Sequence, residues 1–481
     1  MRRISLAVVL LLAGCKVGPD YRQPTAETPP TFKELGDWKP VSPADLGDRG
    51  AWWSVFDDPV LDGLERQVEV SNQTLLADAA AYEQAVAVMA EARSQLFPTL
   101  SAAPSVTRSQ GSSSSLGGSG GKAVTRTSFA AEASVSWAPD VWGRVRRTIS
   151  GDVAAAQASA ADLANAKLSA QATLAIDYFE LRAADELKVL LDNTVSDYRR
   201  SLVITTNQYN AGTAARSDVI NAQTQLQGAI ASDIAVGVTR GQLEHAIAVL
   251  MGRPPSAVSI APGRLTETVP VVPAGLPSEL LERRPDIASA ERNAADQSEQ
   301  IGVAIAAYYP TITLTPSFGF TASKLSTLFN AASEVWSLGA SASETVFSGG
   351  ERPAAVAAAR AGYDQAVANY RQTVLVAFQQ VEDQLVALHV LQQQLDAERL
   401  AVQLAKRAVD VTMNQYRAGT QPYTAVIIAE NTLLADQQTA LAVQQSLVVA
   451  SVSLIEAIGG GWNSGDLPSE DGMQAAHPVL P

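Results

Sequence analysis

The chain contains the same plan twice. The segment Asn207–Thr213 (NQYNAGT) returns 207 positions later as Asn414–Thr420 (NQYRAGT), and Phe97–Ser101 (FPTLS) returns as Tyr309–Thr313 (YPTIT). In each copy a short stretch of strand character precedes a very long stretch of helical character. A repeated unit of this kind buries its apolar faces against neighbouring units. We therefore expect one elongated body built from two tandem halves, rather than several globular domains.

Each half carries a long stretch with almost no helix-breaking residues. Arg144 to Asn210 contains no proline and one glycine, and Gly350 to Tyr416 contains only Pro353 and Gly362 as breakers. A continuous helix of about 67 residues would extend roughly 100 Å at 1.5 Å per residue. In the second stretch apolar residues recur every seven positions, which predicts a left-handed coiled coil. These residues are Val374, Val381, Leu388, Leu395, Val402, Val409 and Tyr416.

A glycine turn follows each long stretch, and another helical segment follows each turn. Gly212 and Gly419 stand where a left-handed residue can end a helix, so each half contains a helical hairpin.

The whole chain divides into six predicted segments. They are a signal peptide at 1–14, a wrapping segment at 15–70, the first repeat at 71–251 with its hairpin at 144–251, a Pro-rich linker at 252–285, the second repeat at 286–458 with its hairpin at 350–458, and an irregular tail at 459–481.

Four segments alternate between apolar and small polar residues, at about 98–108, 128–138, 310–321 and 334–346. Alternation alone fits any half-buried sheet, but hydroxyl side chains on one face suit a membrane barrel with a wet lumen. Four strands cannot close a barrel, and an open sheet edge is not tolerated in lipid. Several copies must therefore combine, and three would supply twelve strands and twelve helical staves. The predicted fold class is mainly α with a membrane β-barrel.

The N-terminus has the layout of an exported lipoprotein. Arg2 and Arg3 precede an apolar run that ends in Leu12-Ala13-Gly14-Cys15, too short to span a membrane as a mature helix. This ending resembles a bacterial lipobox, in which Cys15 becomes the first mature residue and carries diacylglyceryl and N-acyl groups. The alternative is a cysteine that merely ends an ordinary signal peptide. Lys16, where lipoproteins of the inner membrane commonly carry aspartate, implies an outer-membrane location.

Other function classes have little support in the sequence. The formal charge of −14 disfavours nucleic acid as a partner, because phosphate binding needs clustered Lys and Arg. Cys15 is the only cysteine, and His245, His389 and His477 stand far apart, so no metal-ligand spacing is present. No phosphate-binding loop is present either. We expect no enzyme and no cofactor other than the lipid on Cys15.

Three further motifs stand at Cys15–Pro24 (CKVGPDYRQP), at Trp52-Trp53 with Phe56 and Asp58-Pro59, and at Leu280–Ile287 (LLERRPDI). Together they resemble the motifs of the TolC-like outer membrane factors, and of the OprM- and NodT-type efflux lipoproteins in particular. Ser136–Arg144 also matches, except that Ala138-Pro139 replaces the usual Glu-Leu. The resemblance implies a homotrimer with a 12-stranded β-barrel and a periplasmic α-barrel. Such a trimer is a passive exit duct that docks a periplasmic adaptor and an inner-membrane RND-type pump, often for multidrug efflux.

The alternatives are the exit duct of a type I protein secretion system and a lipid-anchored coiled-coil scaffold without a pore. The scaffold would explain the long helices and Cys15, but not four amphipathic strands.

The resemblance also implies where the site residues lie. The adaptor contacts match the two hairpin tips, Asn210, Ala211, Gly212 and Thr213 in the first and Arg417, Ala418, Gly419 and Thr420 in the second. Tyr416 and Asp218 match a tyrosine and an aspartate that together hold the periplasmic aperture closed in relatives. Ala425 and Ile428 stand where relatives have acidic residues at the gate. We therefore expect an apolar constriction at Thr424 and Ile428 rather than an acidic ring.

Overall fold

The structure is a computed structural model that describes residues 16–35, 50–110, 125–266, 269–270 and 277–476. Cys15, the signal peptide and the tip of the first strand hairpin lie outside these residues. The helices are α1 (Pro59–Ser71), α2 (Gln73–Ser94), α3 (Arg144–Asn210), α4 (Arg216–Leu250), α5 (Leu280–Arg283), α6 (Pro285–Ala306), α7 (Glu351–Arg417), α8 (Tyr423–Ala457) and α9 (Glu470–Ala476). The strands are β1 (Thr99–Gln110), β2 (Thr125–Ser136), β3 (Thr311–Ala322) and β4 (Glu334–Ser343).

Two helices of 67 residues each, α3 and α7, run the length of the molecule. Helix α3 packs against α2 and α6, and α7 packs against α6. Helix α3 then forms a hairpin with α4, and α7 forms one with α8. In the predicted seam of α7, Val374 to Leu395 are buried, whereas Val402 and Val409 are half-buried. Parts of α7 and α8 are apolar and long enough to cross a membrane. Lateral packing against α6 and α3 buries part of these apolar faces within the chain.

The four strands form one antiparallel sheet in the order β1-β2-β3-β4. Every residue of β1 and of β4 is exposed in the single chain. Both are edge strands, so each leaves one row of backbone hydrogen-bonding groups without a strand partner among the residues that the structure describes. A sheet with two such edges needs further strands before lipid can surround it.

The two faces of the sheet differ in chemistry. One row of serines crosses all four strands, because Ser101 pairs with Ser134, Ser134 with Ser317, and Ser317 with Ser337. The outer pairs of hydroxyls are 2.9 and 3.0 Å apart. The opposite face is apolar, and there Ala133 pairs with Phe318. This separation matches a strand set with lipid on one side and water on the other.

Aromatic rings gather where the sheet meets the helices. Trp142 stacks on Tyr309 with ring centroids 4.8 Å apart, and its Nε1 donates to the Pro310 carbonyl at 2.9 Å. Asp140 turns the chain into α3 by accepting from the backbone of Val145 and Arg146 at 3.1 and 2.9 Å. Amphipathic aromatic rings favour the boundary between lipid and water, so this junction marks the membrane surface.

The segment 16–35 runs from this junction along the outside of the helices. Arg147 of α3, fully buried, donates to the Val17 and Gly18 carbonyls at 3.0 Å each and to Glu299 at 3.0 Å. At the other end, the backbone N–H groups of Lys33 and Glu34 donate to Glu382 of α7 at 2.6 and 2.9 Å. The segment thus ties the first repeat to the second.

The predicted irregular tail is wrong in part. Residues 464–466 form a short 3-10 turn, and α9 follows. Met473 of α9 is buried against Val86, Met89 and Ala156, which lie on α2 and α3. Residues 477–481 lie outside the described part of the chain. One buried methionine is enough to hold a short helix that composition alone does not reveal.

Glu65 of α1 is fully buried, and both carboxylate oxygens lack a hydrogen-bond partner within the described chain. Helix α1 lies antiparallel to α3, because Asp58 accepts from Tyr178 and Glu69 from Lys167. This register places Glu65 at the level of Gln171, whose Nε2 is also buried without a partner. Burial raises the pKa of Glu65 to about 9. Glu65 is therefore uncharged at neutral pH.

We expect Glu65→Gln to remove a pH dependence of stability. The unfolded chain releases the Glu65 proton near pH 4.5, whereas the folded protein keeps it up to about pH 9. The contribution of this group is complete below pH 4.5 and is lost between pH 4.5 and 9, by at most about 1.4 kcal/mol per pH unit. The measurement is the melting temperature of both proteins from pH 5 to 9, with the exposed Glu69→Gln as control. Parallel curves for wild type and Glu65→Gln would contradict the assignment.

Candidate gate at the helical hairpin tips

The two hairpin tips have the same geometry. Gly212 and Gly419 have φ values of 76° and 71°, in the left-handed region that favours glycine. In the first tip the N–H of Thr213 donates to the Gln208 carbonyl at 2.9 Å, and in the second Thr420 donates to Gln415 at 3.0 Å. Each threonine hydroxyl donates to the same carbonyl as its backbone. This helix ending satisfies the last carbonyls within the tip itself.

The predicted adaptor contacts all lie on the surface at this end. Asn210, Ala211, Gly212, Thr213, Arg417, Ala418, Gly419 and Thr420 are exposed. Because the turns satisfy their own backbone groups, their outer surfaces are free to meet another protein.

Tyr416 is buried one turn before the second tip. It packs with Ala222, Tyr423 and Val426, and its ring centroid is 5.1 Å from that of Tyr423. Its hydroxyl has no hydrogen-bond partner among the described residues. Burial raises the pKa of Tyr416, the polar Thr205 side chain acts in the opposite direction, and the charge of Asp218 raises it further.

Asp218 lies in the first turn of α4, near enough to Tyr416 for its charge to act on the phenol. Within the described part of the single chain no hydrogen bond joins the two side chains. The structure therefore brings Asp218 and Tyr416 to the same end of the molecule, and their hydrogen bond stays a prediction.

Thr424 and Ile428 lie one turn apart on the same face of α8, and both are exposed. Ile428 is 67% exposed, whereas Tyr423 and Val426 on the opposite face are buried. Ala425 is half-buried between the two faces. The uncharged face of Thr424 and Ile428 is thus available to line an aperture.

The sequence analysis missed a buried carboxylate close to this site. Glu430 of α8 is 7% exposed and accepts from the Ser201 hydroxyl at 2.7 Å and from Gln225 Nε2 at 3.1 Å. Burial raises the pKa of Glu430, and the two hydrogen bonds oppose that shift. The sequence did contain a signal for this burial. Glu430 stands seven residues after Tyr423, a spacing that places both residues on the same face of a helix, and Tyr423 is buried.

Comparison with known proteins indicates the same class of protein as the fold does. The family model for outer membrane efflux proteins matches residues 64–253 and 276–460. The probable efflux pump outer membrane protein TtgC of Pseudomonas putida is 29% identical over 463 residues, which cover 95% of each chain. The chain therefore belongs to the outer membrane efflux protein family, whose members are passive channels and not enzymes.

Two solved structures superpose on nearly the whole length of this chain. The outer-membrane channel OprN superposes with a TM-score of 0.87 at 29% identity and covers 93% of this chain and 100% of its own. The open state of the MtrE outer membrane channel of Neisseria gonorrhoeae superposes with a TM-score of 0.80 at 28% identity, covering 95% and 100%. The predicted fold class is confirmed, and the protein is located in the outer membrane.

Proposed function

We propose that the chain is the outer-membrane exit duct of a tripartite efflux pump, in which three copies join a periplasmic adaptor and an inner-membrane RND-type pump to the cell exterior. The observation that carries the proposal is the four-stranded sheet with one apolar face, one hydroxyl-rich face and two unpaired edges. In lipid such a sheet is stable only when β1 of one copy pairs with β4 of the next. Three copies then enclose a wet lumen lined by the serine row.

The helices extend this lumen away from the membrane. A helix of 67 residues is roughly 100 Å long, so the tips lie far from the aromatic junction. The exposed tip residues, Asn210 to Thr213 and Arg417 to Thr420, would be the surface that meets the adaptor. The chain holds no nucleotide-binding loop in its sequence, so the partner pump supplies the energy.

An exit duct for secreted proteins would use a similar body, but the named relative belongs to an efflux pump. A coiled-coil scaffold leaves the two-faced sheet without a role.

A lipid on Cys15 fits the same arrangement. Lys16 lies beside the junction, where its Nζ is 3.3 Å from Glu299, and the N–H of Val17 donates to the Trp142 carbonyl at 3.2 Å. The described chain thus begins, at Lys16, at the level where we expect the membrane surface, and a lipid anchor is expected at such a surface. Intact mass measurement of the mature chain tests this proposal. We expect a start at Cys15 with diacylglyceryl and N-acyl groups; an unmodified Cys15 or a different start would refute it.

The gate is proposed to lie at the tips. In the trimer Thr424 and Ile428 of three copies would surround the axis and exclude ions by dewetting, because no charged side chain stands at 424, 425 or 428. The Tyr416 hydroxyl, which has no hydrogen-bond partner among the described residues, would bond Asp218 in the closed assembly.

The test is single-channel conductance in planar bilayers. We expect Ile428→Ala to raise resting conductance, and Tyr416→Phe to raise the open population by roughly two- to a hundredfold through loss of one hydrogen bond. The conductance ratio of closed to open states should change little with salt, because the constriction is uncharged. Ile234→Ala, at an exposed isoleucine of α4 away from the tip, is the control. Unchanged resting conductance in both gate variants would place the gate elsewhere.

A further inference from the structure

Glu430 connects the two helical hairpins inside the chain. Its Oε1 accepts from Ser201 on α3, and its Oε2 accepts from Gln225 on α4. The next residue, Asn431, accepts from the Tyr198 hydroxyl and from Gln225, at 3.4 Å in each case. One turn of α8 therefore bonds to both helices of the first hairpin.

The carboxylate is held by neutral donors alone. Ser201 and Gln225 are its hydrogen-bond partners, and no Lys or Arg of the described chain forms an ion pair with it. The phenols of Tyr198 and Tyr423 lie close enough to feel its charge, and the cavity that it lines also carries Arg200, Lys406 and Arg417, none of which forms an ion pair with it among the described residues. A buried carboxylate without a cation is unfavourable unless its hydrogen bonds are kept. Separating the hairpins would remove these bonds.

Glu430 lies close to the hairpin tips, so its hydrogen bonds can restrict how the tips move. Glu430 lies seven residues after Tyr423, where α8 begins, and so about 10 Å from the tip along the helix axis. Tyr416 and Tyr423 form an apolar contact below it, nearer the turn. A hairpin that swings or slides to widen the aperture must move this turn of α8 relative to α3 or α4.

We propose that Glu430, through Ser201 and Gln225, is a positioning residue that ties the second hairpin to the first and opposes widening of the aperture by movement of one hairpin away from the other. The tie rests on the proposed function, and it is separate from the predicted bond between Tyr416 and Asp218. In the arrangement seen here the carboxylate is dry and doubly bonded. In an arrangement with the hairpins apart it would be hydrated, so the two states differ in the groups that bind it.

The chain offers a graded set of variants. Glu430→Ala removes both bonds, and Ser201→Ala removes one while leaving the carboxylate in place. Glu430→Gln keeps an acceptor for Ser201, and its new N–H₂ can pair with Gln225 Oε1, which is buried without a partner. Asp436→Ala is the matched control, because Asp436 lies on the same helix and forms no hydrogen bond to the first hairpin within the described residues.

The experiment records single channels of purified full-length trimers in planar bilayers, with trimer content checked on each variant. We expect the fraction of time spent open to rise roughly tenfold or more for Glu430→Ala, and less for Ser201→Ala. Glu430→Gln and Asp436→Ala should behave as wild type. The double variant Ser201→Ala/Glu430→Ala should open no more than Glu430→Ala alone, because both remove the same bond.

Each outcome bears on one claim. Absence of current from wild-type trimers and also from assembled trimers of the gate variant Ile428→Ala would overturn the proposed function itself. A conducting wild type with unchanged opening in folded Glu430→Ala trimers would overturn the tie alone. If Glu430→Ala does not assemble, Ser201→Ala decides the matter, since wild-type opening in that variant would also reject the tie.

Discussion

Strands β1 and β4 each carry a row of backbone N–H and C=O groups that has no partner strand in the described part of the chain, because the sheet order is β1-β2-β3-β4. In water such edges are a risk of aggregation, and in lipid each unpaired group costs several kcal/mol. The serine row and the apolar face show which side of the sheet meets water and which meets lipid. Closure by further copies satisfies both requirements at once. It also brings the helices of each copy into one ring.

The N-terminal segment and the long helices connect the closed sheet to the hairpin tips at the far end of the molecule. The buried Arg147 fixes the chain after Cys15 at the base of the sheet, and the segment up to Glu34 joins the first repeat to α7. The long helices are continuous from the base to the tips and have 67 residues each. Over that length a small change in hairpin position at the tips need not disturb the barrel. Near the tips, polar bonds such as that of Ser201 to Glu430 stand among apolar contacts. When such a hydrogen bond breaks, water can replace the lost partner, so the net free energy of breaking it is modest. A gate that opens and closes requires contacts of this kind.

Local sequence rules predicted the long elements well and the isolated polar contacts poorly. Helix α3 occupies Arg144–Asn210, as the absence of proline predicts, and α7 ends one residue beyond Tyr416. Glycine at both tips has the left-handed conformation expected from its position. Glu65 and Glu430 were not found, because their burial depends on which helix lies across from them rather than on their neighbours in sequence. Helix α9 was missed for the same reason, since Met473 is held by residues more than 300 positions away.

The central claim is that three chains, and no fewer, make one closed wall. Native mass spectrometry of the complex extracted from outer membranes in mild detergent tests it most directly, because it counts chains without altering any residue. The account predicts a single species with three times the mass of the mature chain, and no folded monomer that inserts into bilayers. A stable, membrane-inserted monomer, or an assembly of a different number of chains, would contradict it.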